Sequence, residues 1–599
     1  MFDLFYKKNR NGQLFSYLEE NGFRDVQNFV PIYQKFFSLD NNNFNSINLN
    51  QKYSINKIID RETNNKFEIK CHDGSDNILK FKSFFKFSPL LDPVKYMVGK
   101  YKSLSEESRT FLPKLESNLC HRKVLDKNNS AYVDSLFSYL SSQLKNSTNF
   151  IHGINFFGSF LGIQERFVLN IFDDLEYLHD SEYFHDNNKT LFEVEDFDTS
   201  KLLEADTRNY RKKINLEKSI KNLEVETLND SLFEDVFKLT KKNLDRHNSE
   251  IKLDSSELKE EYSKENSGNK DKSAKKTNST CSSRSSNTNS KDSDDYRENL
   301  KINSNKDLNS DIDLLDGESE SDYENNDSDE SYTNSQKSDY SSMGSEEIIN
   351  SVVFDFPVQI ICLEQLDHTL DSLLDAEEEM TIKEWCSCLF QIIMMLITYQ
   401  KMFDFTHNDL HTNNIMYIET EKKFLNYKYN NVYYRVPTYG KIYKIIDFGR
   451  AIYTFKGKTI CSDSYHSQGD AATQFNFEPY FNENKPRLMP NKSFDLCRLG
   501  CSLYDYFADD IEEQEQIKHP IAKIVDEWIR DDKKRNMLYK NNGEERYPDF
   551  KLYKMIVRTV HNHLPEKQLE RPVFKKFESS KRKIKKQKII NIDNMKPMV

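Results

Sequence analysis

The sequence predicts an α+β fold that is divided by a long disordered insert. Strand-like segments come first in the chain, and helical patterns dominate after about residue 380. Runs of strands followed by runs of helices are typical of α+β domains. Between about residues 249 and 347 the composition collapses into Ser, Asp, Asn, Glu and Lys. Such a segment buries too little apolar surface to offset the entropy of ordering, so it is predicted to be disordered.

The ordered parts can be followed element by element. KFEIKCHDG and NILKFKSFFKFSPLL predict strands, with a turn at Asp73-Gly74. Apolar residues at helical spacing predict a helix over 130–144, and FIHGINFFGSFLG (150–162) predicts a further strand region. The apolar run VVFDFPVQIICLEQL predicts a buried strand, and a long helix is expected from about Ile382 to Phe403.

Charge and cysteine content limit the partners and the compartment. The formal net charge is -12, with the acid concentrated mid-chain and a basic run, SSKRKIKKQKII, near the end. This distribution argues against nucleic acid as the main partner, except through the basic tail. Nine cysteines without a C-x-x-C pair indicate a reducing, intracellular compartment. The start lacks a signal-peptide pattern, and the longest apolar stretch (385–399) is shorter than a membrane span, so neither secretion nor membrane contact is expected.

The strongest motif is THNDLHTNNIMY, which matches the H-x-D-L-x-x-x-N catalytic loop of kinases at His407, Asp409, Leu410 and Asn414. The spacing has a chemical reason. The Asp must receive the proton of an attacking hydroxyl, while the Asn must face a magnesium ion on the phosphates. A short loop closed by a small strand (415–417) can hold both at one centre. The motif therefore predicts Asp409 as catalytic base and Asn414 as a magnesium ligand.

The second motif is KIIDFGRA, in which Asp447, Phe448 and Gly449 follow the apolar pair Ile445 and Ile446. A buried strand followed by Asp places a carboxylate at the strand's exit, where Mg²⁺ bridges the phosphates in kinases. D-F-G alone is a weak signal because tripeptides recur by chance. Its place downstream of the first motif, with a strand–turn–strand pattern between, strengthens it. We therefore predict Asp447 as the second magnesium ligand and its two neighbours as part of the cofactor site.

With these motifs in order, the chain resembles the protein-kinase superfamily over about residues 50–163 and 351–577. His411 gives the loop a D-L-H-x-x-N form similar to that of haspin and the aminoglycoside phosphotransferases. In its Asn-rich composition and its split kinase domain, the chain resembles the kinases of giant DNA viruses. The resemblance implies a two-lobed fold, with a small antiparallel sheet lobe and a mostly helical lobe. It also implies ATP and Mg²⁺ as cofactors, Ser/Thr hydroxyls of a protein as substrate, and the host cytoplasm or virion as location if the chain is viral.

The resemblance also implies a plan for the domains. The insert covers 164–350, and its acidic, disordered part runs from about 249 to 347. A structureless loop of that length would count against a domain assignment, but here the composition marks an insert. The other parts are an N-terminal extension (1–50), the first part of the small lobe (51–163), its last strand and the hinge (351–368), the helical lobe (369–577) and a basic tail (578–599).

The phosphate-binding residues are carried over from the family. Kinases hold the α- and β-phosphates with a Lys on the third strand, paired with a carboxylate on the next helix. Lys86 in SFFKF fits that strand position best, with Lys82 and Lys80 as alternatives. The partner carboxylate is expected to be Asp134 in SAYVDSLF, with Glu116 as the alternative.

Further positions are expected to support the site. Asp495 in SFDLCRLGCSLYDYF resembles the kinase Asp that braces the catalytic-loop backbone, and His407 is expected to pack beneath that loop. Glu478 and Arg571 are expected to form the Glu–Arg pair that ties the activation segment to the helical lobe. Backbone groups at the hinge are expected to hydrogen-bond the adenine: Glu364, Gln365 and Leu366.

The chain departs from the family pattern in two places. There is no G-x-G-x-x-G loop, and Gly74 is the sole glycine of the region, so the phosphates would lie under a less flexible hairpin or be poorly covered. Asn408 stands where many protein kinases have an Arg that pairs with an activation-loop phosphate. Control by phosphorylation through that contact is therefore not expected.

Three functions remain open. A Ser/Thr-directed protein kinase is favoured, a small-molecule phosphotransferase shares the D-L-H-x-x-N loop, and a pseudokinase scaffold is suggested by the missing glycines. Zinc-dependent hydrolysis is disfavoured. His407 and His411 are four residues apart, but position 408 is Asn, so the general-base Glu of H-E-x-x-H is missing.

Overall fold

A computed structural model describes most of the chain outside the central insert. The described residues are 2–8, 11–75, 77–102, 108, 110–115, 119–195, 349–374, 376, 379–507, 520–584 and 587–599. They fall within one of the two units into which the chain divides, residues 1–288 with 346–599. The stretch 249–347, predicted to be disordered, and Glu116 also lie outside the described residues.

Strands and helices alternate along the described chain. The strands are β1 Tyr6–Lys8, β2 Phe23–Gln27, β3 Ile47–Leu49, β4 Ser54–Arg61, β5 Lys66–His72, β6 Ile78–Pro89, β7 Phe156–Asn170, β8 Phe192–Val194, β9 Asn350–Glu364, β10 His368–Thr369, β11 Ile415–Glu419, β12 Phe424–Tyr429, β13 Val432–Pro437, β14 Lys441–Ile445, β15 Ile452–Phe455, β16 Lys458–Cys461, β17 Glu578–Ser579 and β18 Ile590–Asn591. The α-helices are α1 Gly12–Glu20, α2 Pro93–Met97, α3 Arg122–Leu125, α4 Ser130–Thr148, α5 Leu175–His179, α6 Glu182–Asn187, α7 Leu370–Leu374, α8 Ile382–Phe403, α9 Phe494–Phe507, α10 Pro520–Trp528, α11 Lys551–Thr559, α12 Pro565–Gln568, α13 Pro572–Lys575 and α14 Lys581–Ile584.

The main sheet has the strand order β2-β7-β9-β6-β5-β4, with β8 also beside β9, and all of its ladders are antiparallel. The chain is therefore a mixed α and β protein built on antiparallel sheets, as the pattern of segments predicted. The turn predicted at Asp73-Gly74 joins β5 to β6 and is confirmed. The strand predicted over 150–162 begins later, at Phe156, because the preceding loop packs tightly on α4: a Cβ at Gly153 would lie 2.4 Å from the Ser141 carbonyl oxygen.

The stretch 1–50, predicted as an N-terminal extension, contributes one strand, β2, to the main sheet. β2 pairs with β7 at the sheet's edge, and Leu14 and Leu18 of α1 are buried. The polar, Asn-rich composition concealed these apolar positions. The basic tail (578–599) also takes part in the fold. β18 pairs in parallel with β12, and Ile592 and Met598 are buried although the run before them is basic.

Helix α8 has the bounds that the sequence predicted and lies in the protein core. It starts with a capping box, in which Thr381 and Glu384 each accept a hydrogen bond from the other's backbone N–H. By length and composition α8 could cross a membrane, but 89% of its most apolar window is buried inside the protein, as in a core helix.

An aromatic cluster joins α4 to the helical part of the fold. The Phe137 ring of α4 lies 5.2 Å from Tyr399 of α8, 4.5 Å from Phe405 and 4.6 Å from Phe448, measured between ring centroids. The Ser141 and Tyr399 hydroxyls are also hydrogen-bonded, at 2.8 Å. Phe448, the middle residue of D-F-G, is thereby packed against both parts of the structure.

Candidate active site

Antiparallel pairing of β11 with β14 brings the two sequence motifs together. Ile415 lies opposite Ile445, so Asn414 and Asp447, which flank this pair, are placed at the same end of the ladder. The Ile446 N–H donates to the Asn414 carbonyl oxygen at 3.0 Å. The residues between the motifs, including the β12–β13 hairpin, do not interrupt this arrangement.

Asp495, at the start of α9, braces the loop that carries Asp409. Its carboxylate accepts hydrogen bonds from the backbone N–H groups of His407 at 2.9 Å and Asn408 at 2.8 Å. Asn408 has φ +64°, a left-handed conformation that an Asn tolerates better than most residues. His407 is buried under the loop, with its Nε2 2.9 Å from the Ile446 carbonyl oxygen.

Asp409 is buried, but one of its oxygens lacks a partner. Oδ1 accepts a hydrogen bond from the Tyr553 hydroxyl at 2.8 Å, and that hydroxyl accepts one from Arg498 Nε at 2.9 Å. Oδ2 is buried and accepts no hydrogen bond from any of the described residues. A buried carboxylate oxygen without a partner is costly, so its presence indicates a place where a donor from outside the chain can bind.

Neither Tyr553 nor Arg498 was identified from the sequence. Tyr553 lies on α11, 144 positions after Asp409. Arg498 follows Asp495 by one helical turn, so its position on the same face of α9 was the one available signal. Tyr553 has no local pattern that could have connected it with the motif.

Lys86 is the cation that reaches the D-F-G carboxylate. Its Nζ lies 2.7 Å from Asp134 Oδ2 and 2.8 Å from Asp447 Oδ1. The alternatives, Lys80 and Lys82, point to exposed carboxylates elsewhere on the sheet, Glu68 at 3.3 Å and Glu62 at 3.8 Å. Of the three lysines considered, Lys86 alone is at this site.

Lys86 and Asp447 hold each other in the ionised form, whereas burial raises the pKa of Asp134. Burial lowers the pKa of Lys86, but the Asp134 and Asp447 carboxylates outweigh burial and raise it above its usual value. Burial raises the pKa of Asp447, but the Lys86 ammonium outweighs this and the pKa is held at about 2. Asp134 also accepts a hydrogen bond from the Phe448 N–H at 2.9 Å, so it fixes both the lysine and the D-F-G backbone.

The predicted acids and the lysine share one cavity of about 160 Å³, whose lining includes Lys86, Asp134, Asp409, Asp447 and Gly449. Residues from the sheet, from α4 and from both motif loops therefore meet around one space. The arrangement combines a cation with several carboxylates, which is the chemistry needed to bind phosphate and a divalent metal side by side.

Asn414 and Asp447 are the residues suited to hold a metal ion here. The Asn414 amide nitrogen lies 2.9 Å from the Asp409 carbonyl oxygen and 3.1 Å from His411 Nε2, which leaves its carbonyl oxygen as the donor atom for a cation. Within the described part of the chain there is no group of three or more His, Cys, Asp or Glu side chains arranged as metal ligands. A Mg²⁺ site needs fewer protein ligands, because this ion keeps several waters and is usually bound by one or two carboxylates plus substrate phosphates.

The backbone of the predicted hinge makes hydrogen bonds within the chain. The N–H of Glu364 donates to the Asn155 carbonyl oxygen at 2.9 Å, and that of Gln365 donates to the Lys82 carbonyl oxygen at 3.3 Å. Two of the three residues predicted to bind adenine through their backbones therefore already use their N–H groups within the chain. Leu366 is buried beside them. A hydrogen bond to adenine would therefore have to come from the other backbone groups of these residues, and their assignment to the adenine stays a prediction.

The Glu364 side chain has a structural role instead. Its Oε2 lies 2.9 Å from both Lys145 Nζ and Lys444 Nζ and accepts a hydrogen bond from the Asn155 N–H at 2.8 Å. Lys444 is fully buried, at 0% exposure, so Glu364 supplies the charge that makes its burial tolerable. Burial raises the pKa of Glu364, but the two ammonium groups outweigh it and hold the pKa at about 2.

Glu364→Gln is expected to lower the free energy of unfolding by about 3–5 kcal/mol, because it leaves Lys444 without a carboxylate. The effect has a defined pH dependence. The folded pKa of about 2 lies below the ordinary 4.5, so this stability is present above about pH 4.5 and is lost as the pH falls towards 2. Urea unfolding of both proteins at several pH values measures the difference.

The matched control is Glu68→Gln, which removes the exposed Lys80–Glu68 pair and is expected to cost less than about 1 kcal/mol. A loss below about 1 kcal/mol for Glu364→Gln at neutral pH would contradict the role assigned to Glu364. So would a difference from wild type that stayed constant down to about pH 2.

The predicted Glu478–Arg571 pair is wrong. Glu478 forms a bidentate pair with Arg487, at 2.6 and 2.8 Å, and Arg571 Nη1 lies 2.5 Å from Glu527. Each residue found a partner closer in the chain than the one that the family pattern suggested.

The segment after D-F-G is tied to the start of α4. It forms the β15–β16 hairpin, and the Asp463 carboxylate that follows accepts a hydrogen bond from the Ser130 N–H at 2.9 Å and pairs with Lys123. Arg450, next to D-F-G, pairs with Asp470 at 2.5 Å. These contacts hold α4, and with it Asp134, towards the cavity.

Two comparisons with known proteins found no match. No protein-family model matches the chain, and no curated protein matches it in sequence. The function has therefore to be inferred from the geometry of the site.

Proposed function

We propose that this chain is an ATP-dependent protein kinase that transfers the γ-phosphate to Ser or Thr hydroxyls. The observation that carries the proposal is the position of Lys86, within 2.8 Å of both Asp134 and Asp447, at a cavity that Asp409 also lines. In protein kinases a strand Lys paired with a helix carboxylate and a D-F-G Asp that holds Mg²⁺ must both be in place for activity.

The architecture supports the same proposal. The main sheet with α4 would be the small lobe, the part from α7 to α13 would be the helical lobe, and the end of β9 would be the hinge between them. The sheet supplies Lys86, α4 supplies Asp134, and the two motif loops supply Asp409 and Asp447. A site made from both parts can close around a nucleotide that lies between them.

Each residue of the site has a defined task in this proposal. Asp409 accepts a hydrogen bond from the acceptor hydroxyl through Oδ2, the oxygen without a partner, and takes its proton. Tyr553 holds the other oxygen of Asp409 and so fixes the orientation of the carboxylate. Lys86, kept in place by Asp134, binds phosphate oxygens. Catalysis is then mainly positioning and charge stabilisation.

The residues fit the magnesium nucleotide that this activity requires. Mg-ATP, when bound, supplies the phosphoryl group, and its magnesium ion neutralises part of the negative charge of the phosphates. Asp447, whose pKa of about 2 keeps it ionised at neutral pH, and the Asn414 carbonyl oxygen would hold the metal. The low pKa of Asp447 matches the needs of a hard cation, which prefers charged oxygen ligands.

Transfer of radiolabelled phosphate from ATP tests the proposal. We expect magnesium-dependent labelling of serine and threonine in generic protein substrates or in the chain itself, and no labelling of small alcohols such as aminoglycosides. Labelling of the small alcohols alone would instead show a small-molecule phosphotransferase. Failure to bind or turn over Mg-ATP would show a pseudokinase scaffold and would refute the proposal.

A further inference from the structure

A second and larger cavity, of about 800 Å³, lies away from the proposed active site. The two cavities share no lining residue. Lys145, which lines the larger one, is eleven positions after Asp134 on α4, and this separates the two by roughly 16 Å at the helical rise per residue. The large cavity is therefore a separate site.

The lining of this cavity is strongly basic. Among the residues that the structure describes, the lining contains six cationic side chains and no carboxylate: Lys52, Lys145, Lys422, Lys423, Arg435 and Lys588. These residues come from separate parts of the chain, namely the approach to β4, the end of α4, the β12–β13 hairpin and the segment before β18. The fold thus gathers charge that no single sequence run contains.

Three of these cations, Lys422, Lys588 and Lys145, lie close enough to repel one another. Burial lowers the pKa of Lys422, and the neighbouring Lys588 and Lys145 ammonium groups lower it further. Lys145 is balanced by Glu364, at 2.9 Å, but Glu364 is shared with the buried Lys444 and does not line the cavity. An anionic ligand would relieve this repulsion.

One atom of the lining requires a hydrogen-bond donor. Asn426 is buried, and its amide nitrogen donates to Gln587 Oε1 at 2.8 Å. Its Oδ1 is also buried and accepts no hydrogen bond from the described residues. A ligand that satisfies both features carries anionic groups and at least one hydrogen-bond donor, such as a hydroxyl.

The aromatic residues of the cavity do not form a base-stacking platform. The Phe424 ring is covered by the Arg435 guanidinium, 3.7 Å from the ring centroid. Tyr53 packs against Phe81 at 4.9 Å and lies under Lys52 at 4.8 Å. Single-stranded nucleic acids depend on free aromatic faces, whereas a cavity of this volume is in the range of small-molecule sites.

We propose that this cavity binds a small molecule that carries several phosphate groups and a free hydroxyl, at a site independent of the nucleotide. Phosphates would contact the cationic side chains, and the hydroxyl would donate to Asn426 Oδ1. Binding would join the end of α4, the β12–β13 hairpin and the C-terminal segment.

Calorimetric titration of the full chain with inositol trisphosphate, without ATP or magnesium, tests this site. Binding is expected, and the double variant Lys422→Ala, Lys588→Ala is expected to weaken it by at least about tenfold. Both lysines are exposed, so the fold should persist. The matched control is Lys523→Ala, Lys533→Ala, a pair of exposed lysines outside both cavities, which should bind as the wild type does.

Lys86→Ala separates this site from the proposed phosphate site of the nucleotide, and it is expected to leave inositol trisphosphate binding unchanged. Absence of binding, or equal affinity of wild type and the Lys422, Lys588 double variant, would overturn the proposal. Tighter binding of a single-stranded oligonucleotide than of inositol trisphosphate would also overturn it, since the natural occupant would then be a nucleic acid. None of these outcomes depends on kinase activity.

Discussion

Asp447→Asn is expected to reduce phosphotransfer by roughly a thousandfold and to remove the magnesium dependence of ATP binding. The carboxylate faces Lys86 at 2.8 Å and has a pKa of about 2, so at neutral pH it presents a full negative charge to the cavity. Asn has the same shape without the charge. The loss is therefore expected in metal and nucleotide binding, with the fold retained because Lys86 still pairs with Asp134 at 2.7 Å.

Equilibrium ATP binding with and without Mg²⁺, combined with a phosphotransfer assay, measures this effect. Asp60→Asn is the matched control, because Asp60 is an exposed carboxylate on β4 and lines neither cavity. Wild-type turnover and magnesium dependence in Asp447→Asn would show that the metal is held elsewhere and that D-F-G has another role.

The parts of the site that follow from local order were predictable. Asn414 and Asp447 lie beside strands that pair with each other, and the apolar residues after Asn414 and before Asp447 indicated those strands. Lys86 was carried over from the family pattern, because it ends the strand-like run SFFKF. Helix α8 was predicted with its observed bounds, because its apolar pattern is long and continuous.

The parts that depend on packing between distant segments were not predictable. Tyr553 reaches Asp409 from 144 positions away, and no periodicity connects the two. Glu478 was assigned to Arg571 by analogy, but it pairs with Arg487, nine positions along. β2 joins the main sheet although the residues around it are polar, because pairing with β7 requires backbone groups and a few apolar side chains.

The difference between local order and distant packing also explains why Glu364 was assigned to the hinge. Glu364 ends a buried strand, and no pattern in the sequence indicated that two lysines would converge on its side chain. Lys145 is on α4 and Lys444 is on β14, and the carboxylate lies 2.9 Å from each. A site residue predicted from strand position alone can therefore have a structural role, which is why Glu364→Gln is expected to affect stability and not chemistry.

Asp409→Asn is expected to lower kcat by about 10²–10⁴-fold while the KM for ATP changes little. The amide cannot take a proton from the acceptor hydroxyl, whereas Lys86 and Asp447, the residues proposed to bind the nucleotide, are unchanged. The loop should keep its shape, because its backbone is held by Asp495 through the N–H groups of residues 407 and 408, at 2.9 and 2.8 Å. Steady-state kinetics with ATP and a protein substrate measure both constants.

Tyr553→Phe provides the comparison that separates proton transfer from positioning. It removes the hydroxyl that donates to Asp409 Oδ1 at 2.8 Å but keeps the ring, which packs against Phe550. The change also removes the acceptor of the hydrogen bond from Arg498 Nε. Because Oδ2, the oxygen assigned to the acceptor hydroxyl, is untouched, kcat is expected to fall by no more than about tenfold. If Asp409→Asn also fell by no more than tenfold, Asp409 would be a positioning residue, and the base that removes the proton would have to be sought among the other groups of the cavity.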